Sequence, residues 1–194
     1  MQTTLYTPPK KSLAAVAFFL MCVGSISGFL SGCKGGTHPK EVVLVQPPFS
    51  LSIVPGRGGS ITMATKNPHE FYVVLTNVAG LPQSVWESWN SWGYHTISFE
   101  LTTTDGKKYV VSKKQEEFTV NYPSMFLVKP GEHQVYAIRL DEDWETHPTL
   151  PKSDEMPITL RAIYEVTQTP EAAQYKVWTG RVESHSYNFS LRQW

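Results

Sequence analysis

The chain has 194 residues, 17 Lys and Arg against 17 Asp and Glu for a formal net charge of zero, and 41% hydrophobic residues. Its basic residues gather only in pairs such as Lys107-Lys108 and Lys113-Lys114, which read as solvated strand ends and supply no face for a phosphate backbone, so a nucleic-acid partner is not expected. The two cysteines, Cys22 and Cys33, both lie near the N-terminus, so the remainder of the chain has no disulfide and is held by its core alone.

In chain order, Lys10 and Lys11 come first, followed by an apolar run over 13–29 and then Leu30-Ser31-Gly32-Cys33. A basic start, a short apolar stretch and small residues ahead of a cut are what export and cleavage require. These residues resemble a bacterial lipoprotein signal peptide with its lipobox. The resemblance covers residues 1–33 and implies that Cys33 receives a diacylglycerol, that residues 1–32 are removed and that the new amino group is acylated. An uncleaved anchor competes with this reading, because 13–30 approaches the roughly 20 residues a bilayer core asks for. Gly24, Ser25, Ser27 and Gly28 weaken the anchor. On either reading the rest of the chain is extracytoplasmic and tethered to a membrane. Two or three acyl chains, at about 0.8 kcal/mol per buried CH₂, would hold it there effectively for good. Lys34 stands where a retention signal at the inner membrane would often be Asp, so the resemblance points to the outer membrane or cell surface. Loss of Lys10 and Lys11 would take the 17 basic residues to 15, against 17 acidic ones.

Residues 33–40 ("CKGGTHPK") are small and polar and read as the lipidated Cys with a flexible tether. Over 41–194 apolar runs of strand length recur between turn residues: "EVVLV", "LSIV", "SITMA", "FYVVLTN", "TISFELT", "KYVVSK", "MFLV", "QVYAIRL", "ITLRAIYEV", "VWTGRVES" and "YNFSL". In 96–102, Ile97, Phe99 and Leu101 share one face, and in 158–166 Ile158, Leu160, Ala162, Tyr164 and Val166 do the same. Alternation with a period of two marks strands with one buried face. Asp105-Gly106 predicts a hairpin, and Pro130-Gly131 a turn before a strand. The one helical signal is a single turn around 169–175, with Thr169 as cap and Pro170 at the first helical position. Many short strands at this spacing predict an all-β fold, an immunoglobulin-like antiparallel β-sandwich.

The segments "NSWGYHTISFELTTTDGKKYVV", "FLVKPGEHQVYAIRL" and "VWTGRVES" are also similar to immunoglobulin-like regions of bacterial secreted and surface proteins. That resemblance spans residues 60–185 and implies a fold without an activity. The Cys…Trp…Cys arrangement of antibody-type domains is absent from the sequence.

Catalytic constellations are not apparent. His38, His69, His95, His133, His147 and His185 show no ligand-like spacing, and the sequence contains no Gly-x-Ser-x-Gly elbow or Gly-rich phosphate loop. No cofactor or metal is therefore expected, and a metal-dependent hydrolase is the least supported function. The acidic stretch "LDEDWE" over 140–145 lacks the spacing of a calcium loop and reads as a solvated loop.

The candidate ligand-binding residues are Trp86, Trp89 and Trp92, with Tyr94 behind them. A repeat of three does not place these rings on one strand face, so they are expected on a loop or an irregular helical turn. Two readings stay open: an aromatic platform for a glycan or partner protein, or a plug closing one end of a disulfide-free core. Gly93 suits a sharp backbone turn and favours the plug. Trp178, two residues before Gly180, is expected in the core or as cover over a bulge. The function that follows is a non-catalytic, lipid-anchored interaction module of the cell envelope, with an envelope protein or a glycan as partner; a carbohydrate-binding module built on the tryptophans is the alternative.

Overall fold

The structure, a computed structural model, describes residues 46–56, 59–63 and 68–193. The lipobox with Cys33, the tether and "EVVLV" lie outside the described residues.

The alternating runs form strands, and among the described residues the fold is all-β with two single-turn helices. One sheet holds three antiparallel strands, β1 (Phe49–Val54), β3 (Phe71–Asn77) and β8 (His133–Ile138), in the order β1-β3-β8. A larger sheet holds β2 (Ser60–Met63), β12 (Tyr187–Gln193), β10 (Met156–Val166), β5 (Ile97–Thr103), β6 (Lys108–Lys113) and β9 (Trp144–His147) in that order. A third pairs β4 (Gln83–Trp86) with β7 (Met125–Val128). The helices are α1 (Ser91–Tyr94) and α2 (Pro170–Gln174).

The central strand β10 is flanked by β5 along one side and, along the other, by β12 and then β11 (Gly180–Glu183). The break between β11 and β12 is closed by buried Ser184, whose backbone N–H donates to the Ala162 carbonyl (2.9 Å) while its Oγ accepts from the Ala162 N–H (2.9 Å). No backbone group of β10 is left orphaned there.

The inward residues of the small and large sheets meet in one core. Phe71 of β3 meets Phe99 of β5 edge-on at 5.5 Å, and Tyr136 of β8 faces Tyr164 of β10 at 6.2 Å. Burial pushes both phenols well above their ordinary range. The alternation expected in β5 and β10 is found, with Ile97, Phe99, Leu101, Ile158, Leu160, Ala162, Tyr164 and Val166 all buried. The Asp105-Gly106 turn joins β5 to β6 with Gly106 at φ +81°, and Gly131 takes φ +77° ahead of β8. Thr169 caps α2, its hydroxyl accepting from the Ala172 N–H at 3.1 Å with Pro170 at the first helical position.

The outer faces of the two main sheets differ in chemistry. On the large sheet, Arg161 binds Glu100 (2.8 Å) and Glu183 (2.9 Å), and Arg181 binds Glu165 and Glu183 (both 2.8 Å), an ion-pair network crossing the three strands β5, β10 and β11. On the small sheet, the outward positions of β8 are His133, Val135 and Ala137, and those of β3 are Tyr72, Val74 and Thr76, none of them a carboxylate, Lys or Arg.

Buried Asn77, at the end of β3, ties the small sheet to the β4/β7 pair. Its Nδ2 donates to the carbonyls of Leu81 (2.9 Å) and Val128 (2.8 Å), and its Oδ1 accepts from the Ala79 N–H (2.9 Å). Among the described residues no helix is long and apolar enough to cross a membrane.

Candidate functional site

The three sequence-picked tryptophans do not share a surface. Trp86 ends strand β4 rather than lying on a loop, and it is buried at 2% exposure against Trp92 (6.0 Å) and Tyr175 (5.7 Å). Trp92, on α1, is half-buried against the same core. Trp89 is 42% exposed, stacked edge-on against Tyr122 at 4.9 Å, with its Nε1 donating to Glu87 Oε2 at 2.8 Å. A platform of three rings is thus replaced by a two-ring plug and one exposed ring, because β4 runs through Trp86 and the turn after it rotates Trp89 outward.

Buried Asn90 holds that turn. Its Oδ1 accepts from the Gly93 N–H (3.0 Å) and its Nδ2 donates to the Ser124 carbonyl (3.0 Å), which also accepts from the Glu87 N–H (3.1 Å). Hydrogen bonds from Ser124 first, and then from Trp89, hold the Glu87 carboxyl below its ordinary range. Gly93 has a negative φ, so its role is not conformational freedom. A Cβ there would lie 2.1 Å from the Glu87 carbonyl oxygen and 3.1 Å from the Trp86 Cβ. Glycine is what lets α1 press onto β4.

The close packing of α1 delivers Tyr94, the fourth picked residue, to two clefts. One, of about 320 Å³, places it beside Trp89, Phe118, Glu116 and Glu117. The other, of about 440 Å³, runs between the edge of the small sheet and the far edge of the large one. Its rim is residues 134–138 of β8 with Arg139 just beyond, and its opposite wall is made by Tyr94, Ile97, Lys113 and Trp144. Burial, followed by the neighbouring Glu116 carboxylate, pushes the Tyr94 phenol well up.

Lys113 departs from the solvated strand end that its sequence suggested. Its side chain is 23% exposed, with the ammonium 4.8 Å from the Tyr94 ring centre and 5.2 Å from that of Trp144. The aliphatic stem covers apolar surface while the head meets two ring faces. Its one carboxylate neighbour among the described residues, Asp143, is 3.8 Å away, longer than the roughly 2.7–2.9 Å of a charge-assisted hydrogen bond. At the other end of the groove Arg139 grips Glu70 through two nitrogens, each at 2.9 Å, and Tyr72 donates to Glu70 at 2.6 Å. Tyr72 foremost, opposed by desolvation and aided by Arg139, holds the Glu70 carboxyl below its usual range.

The acidic stretch is only partly the solvated loop expected. Asp141 Oδ1 accepts from the Asp143 N–H (3.1 Å) in a tight turn, after which Trp144 to His147 form β9 and Trp144 enters the core. Trp178 packs face-on over Tyr164 at 6.1 Å and edge-on to Phe49 at 5.3 Å. Gly180, at φ +143°, leaves the space that the Trp178 ring fills, since a Cβ there would lie 2.8 Å from it. Sequence reasoning missed Lys113, Trp144 and the β8 edge as site elements. The available signal was a lysine closing the alternating run "KYVVSK" and a strand without Lys, Arg, Asp or Glu over 133–138. Among the described residues no three His, Cys, Asp or Glu side chains converge on a metal position. No protein-family model matches the chain, and neither the curated proteins nor the solved structures include a significant match, so the geometry of the groove is what bears on function.

Proposed function

We propose that this chain is a non-catalytic binding module of the cell envelope, an immunoglobulin-like β-sandwich lipid-anchored through Cys33 and facing outside the cytoplasm. The sandwich reading is supported by strand order. The sequences β1-β3-β8 and β6-β5-β10-β11 match the A-B-E and C′-C-F-G orders of that architecture. Anchoring is supported by Leu30-Ser31-Gly32-Cys33 after a basic and apolar leader. The observation that carries the binding reading is the groove at the β8 edge, where aromatic walls, a partly desolvated ammonium and a strand edge face one open volume. Concave, largely apolar sites with a few fixed polar groups are where proteins bind ligands. At one end of the groove Glu70 is held by Arg139 and Tyr72, and the ammonium of Lys113 lies against the Tyr94 and Trp144 rings, which suits recognition better than proton transfer.

The test has two arms on the full chain in its native envelope. Cells supplied with labelled palmitate should incorporate the label into the parent chain and not into Cys33→Ser, whose leader should stay attached. A photoreactive amino acid replacing Ala137 should give a discrete covalent adduct with an envelope component, lost when excess unlabelled protein competes. A parent chain that takes up no label, or a Cys33→Ser chain that takes up as much, overturns the lipid anchor, and absence of a competed adduct overturns the groove as the binding surface.

A further inference from the structure

Among the described residues the small sheet has three strands and the large one seven, counting β11 beside β10, so the large sheet extends beyond its cover. The groove is the uncovered strip, floored by Ile97, Lys113 and Trp144 and bounded by β8. Two backbone bonds show how β8 presents itself. Asn77 N–H donates to the Glu132 carbonyl (3.1 Å) and Val78 N–H to the Pro48 carbonyl (2.9 Å). With Thr76 opposite His133 and Asn77 opposite Phe49, the odd residues of β3 bond toward β8 and the even ones toward β1. Antiparallel pairing alternates in this way. In β8, therefore, Gln134, Tyr136 and Ile138 spend their backbone groups on β3, while His133, Val135 and Ala137 turn theirs to the open edge. Among the described residues no strand pairs with that edge. It also lacks the usual protection, since 133–138 contains no Lys, Arg, Asp, Glu or Pro.

We propose that the groove is filled by strand addition: an extended segment of a partner polypeptide pairs with the free backbone groups of His133, Val135 and Ala137, placing alternate apolar side chains and one carboxylate inward. This rests on the groove being the binding surface. Charge sets the carboxylate. Lys113 lines the groove with no hydrogen-bond acceptor among the described residues, its nearest carboxylate at 3.8 Å, and an inward acidic side chain supplies one. A pairing stretch otherwise free of charged side chains matches an edge that has no Lys, Arg, Asp or Glu. The same geometry disfavours a second copy joined β8 to β8, because the inward side chains Tyr136 and Ile138 of each copy are already buried in its own core and both grooves would stay empty. A free peptide brings unspent side chains to the strip. Backbone pairing supplies affinity and alternate side-chain positions supply specificity in this mode.

The probe is an acetylated, amidated heptapeptide alternating threonine and valine with a glutamate replacing the central valine, titrated into the full chain in detergent. Binding should slow amide hydrogen exchange at Val135 and Ala137 and leave Gln134 and Tyr136 unchanged. N-methylating either all the threonines or all the inward residues should weaken binding at least tenfold in one series only, since alternate N–H groups face one edge. A central lysine in place of the glutamate should bind at least tenfold more weakly, and Lys113→Met should erase that difference. Ala137→Pro removes an outward N–H while sparing the β3 ladder, and should weaken binding with little change in thermal midpoint; if it unfolds, the N-methyl series stands alone as the test. Equal binding by both N-methyl series, no exchange protection, or protection of Val135 and Ala137 in a peptide-free dimer each overturns strand addition. A competed Ala137 adduct in the envelope alongside any of these results would leave the binding surface standing and its mode refuted.

Discussion

Replacing Gly93 by alanine sets two known effects against each other. In an open helix the change would stabilise, because glycine is roughly 1 kcal/mol less favourable than alanine in a helix. Here the added Cβ would sit 2.1 Å from the Glu87 carbonyl oxygen and 2.7 Å from its carbon, well inside the roughly 3.5–4.0 Å of an unstrained contact. The obstacle is backbone, and Glu87 is anchored one peptide earlier by its N–H bond to the Ser124 carbonyl, so relief requires α1 to lift from β4 with the Trp86–Trp92 contact. Overpacking of this kind typically costs about 1–3 kcal/mol. Since relief must come from backbone rather than a side-chain tip, a net loss of about 2 kcal/mol is expected after the helical gain, or about 4–8 °C in thermal midpoint for a domain of this size. Gly80 is the control: its Cβ would meet no atom within 4 Å and its φ is not positive, so Gly80→Ala should stay within about 0.5 kcal/mol of the parent. Thermal unfolding followed by circular dichroism decides the matter. A Gly93→Ala midpoint equal to or above that of the parent would refute the claim that close approach of α1 to β4 demands glycine.

Two further outcomes follow from the same turn. Trp86→Phe should remove emission that is blue and poorly quenched by acrylamide, and Trp89→Phe emission that is red and readily quenched; Trp86→Ala should cost about 3–5 kcal/mol, as for other buried aromatics. Similar quenching of the two lost components would contradict their placement. The lowered carboxyl of Glu87 makes its charge stabilising above its ordinary value of 4.5, so the thermal midpoint of the parent should exceed that of Glu87→Gln at neutral pH. The gap should close as the pH falls through the depressed folded-state value, because protonating the parent then removes the same charge. A gap that is constant across this range, or that widens on acidification, would show that Glu87 owes its role to something other than its charge.

The chain alone determined whatever depends on neighbours in sequence. The period of two in 96–102 and 158–166 places apolar side chains on one face of any extended chain, whatever the partner strand. Asp105-Gly106 and Thr169-Pro170 act within a single turn, so the hairpin and the cap of α2 were legible in advance. Tertiary packing decided what depends on distant partners. Trp86, Trp89 and Trp92 have the same spacing on paper, and they separate into core and surface only because β4 pairs with β7 through Trp86 and Asn90 ties the following turn to Ser124, 34 positions away. Lys113 reads as a solvated strand end until β6 lies beside β9 and α1 brings Tyr94 over it, which encloses its ammonium between rings from two other parts of the chain. The open edge of β8 is likewise a property of the assembled sheets, since whether a strand's backbone groups have partners depends on which strands arrive next to it and not on its own side chains.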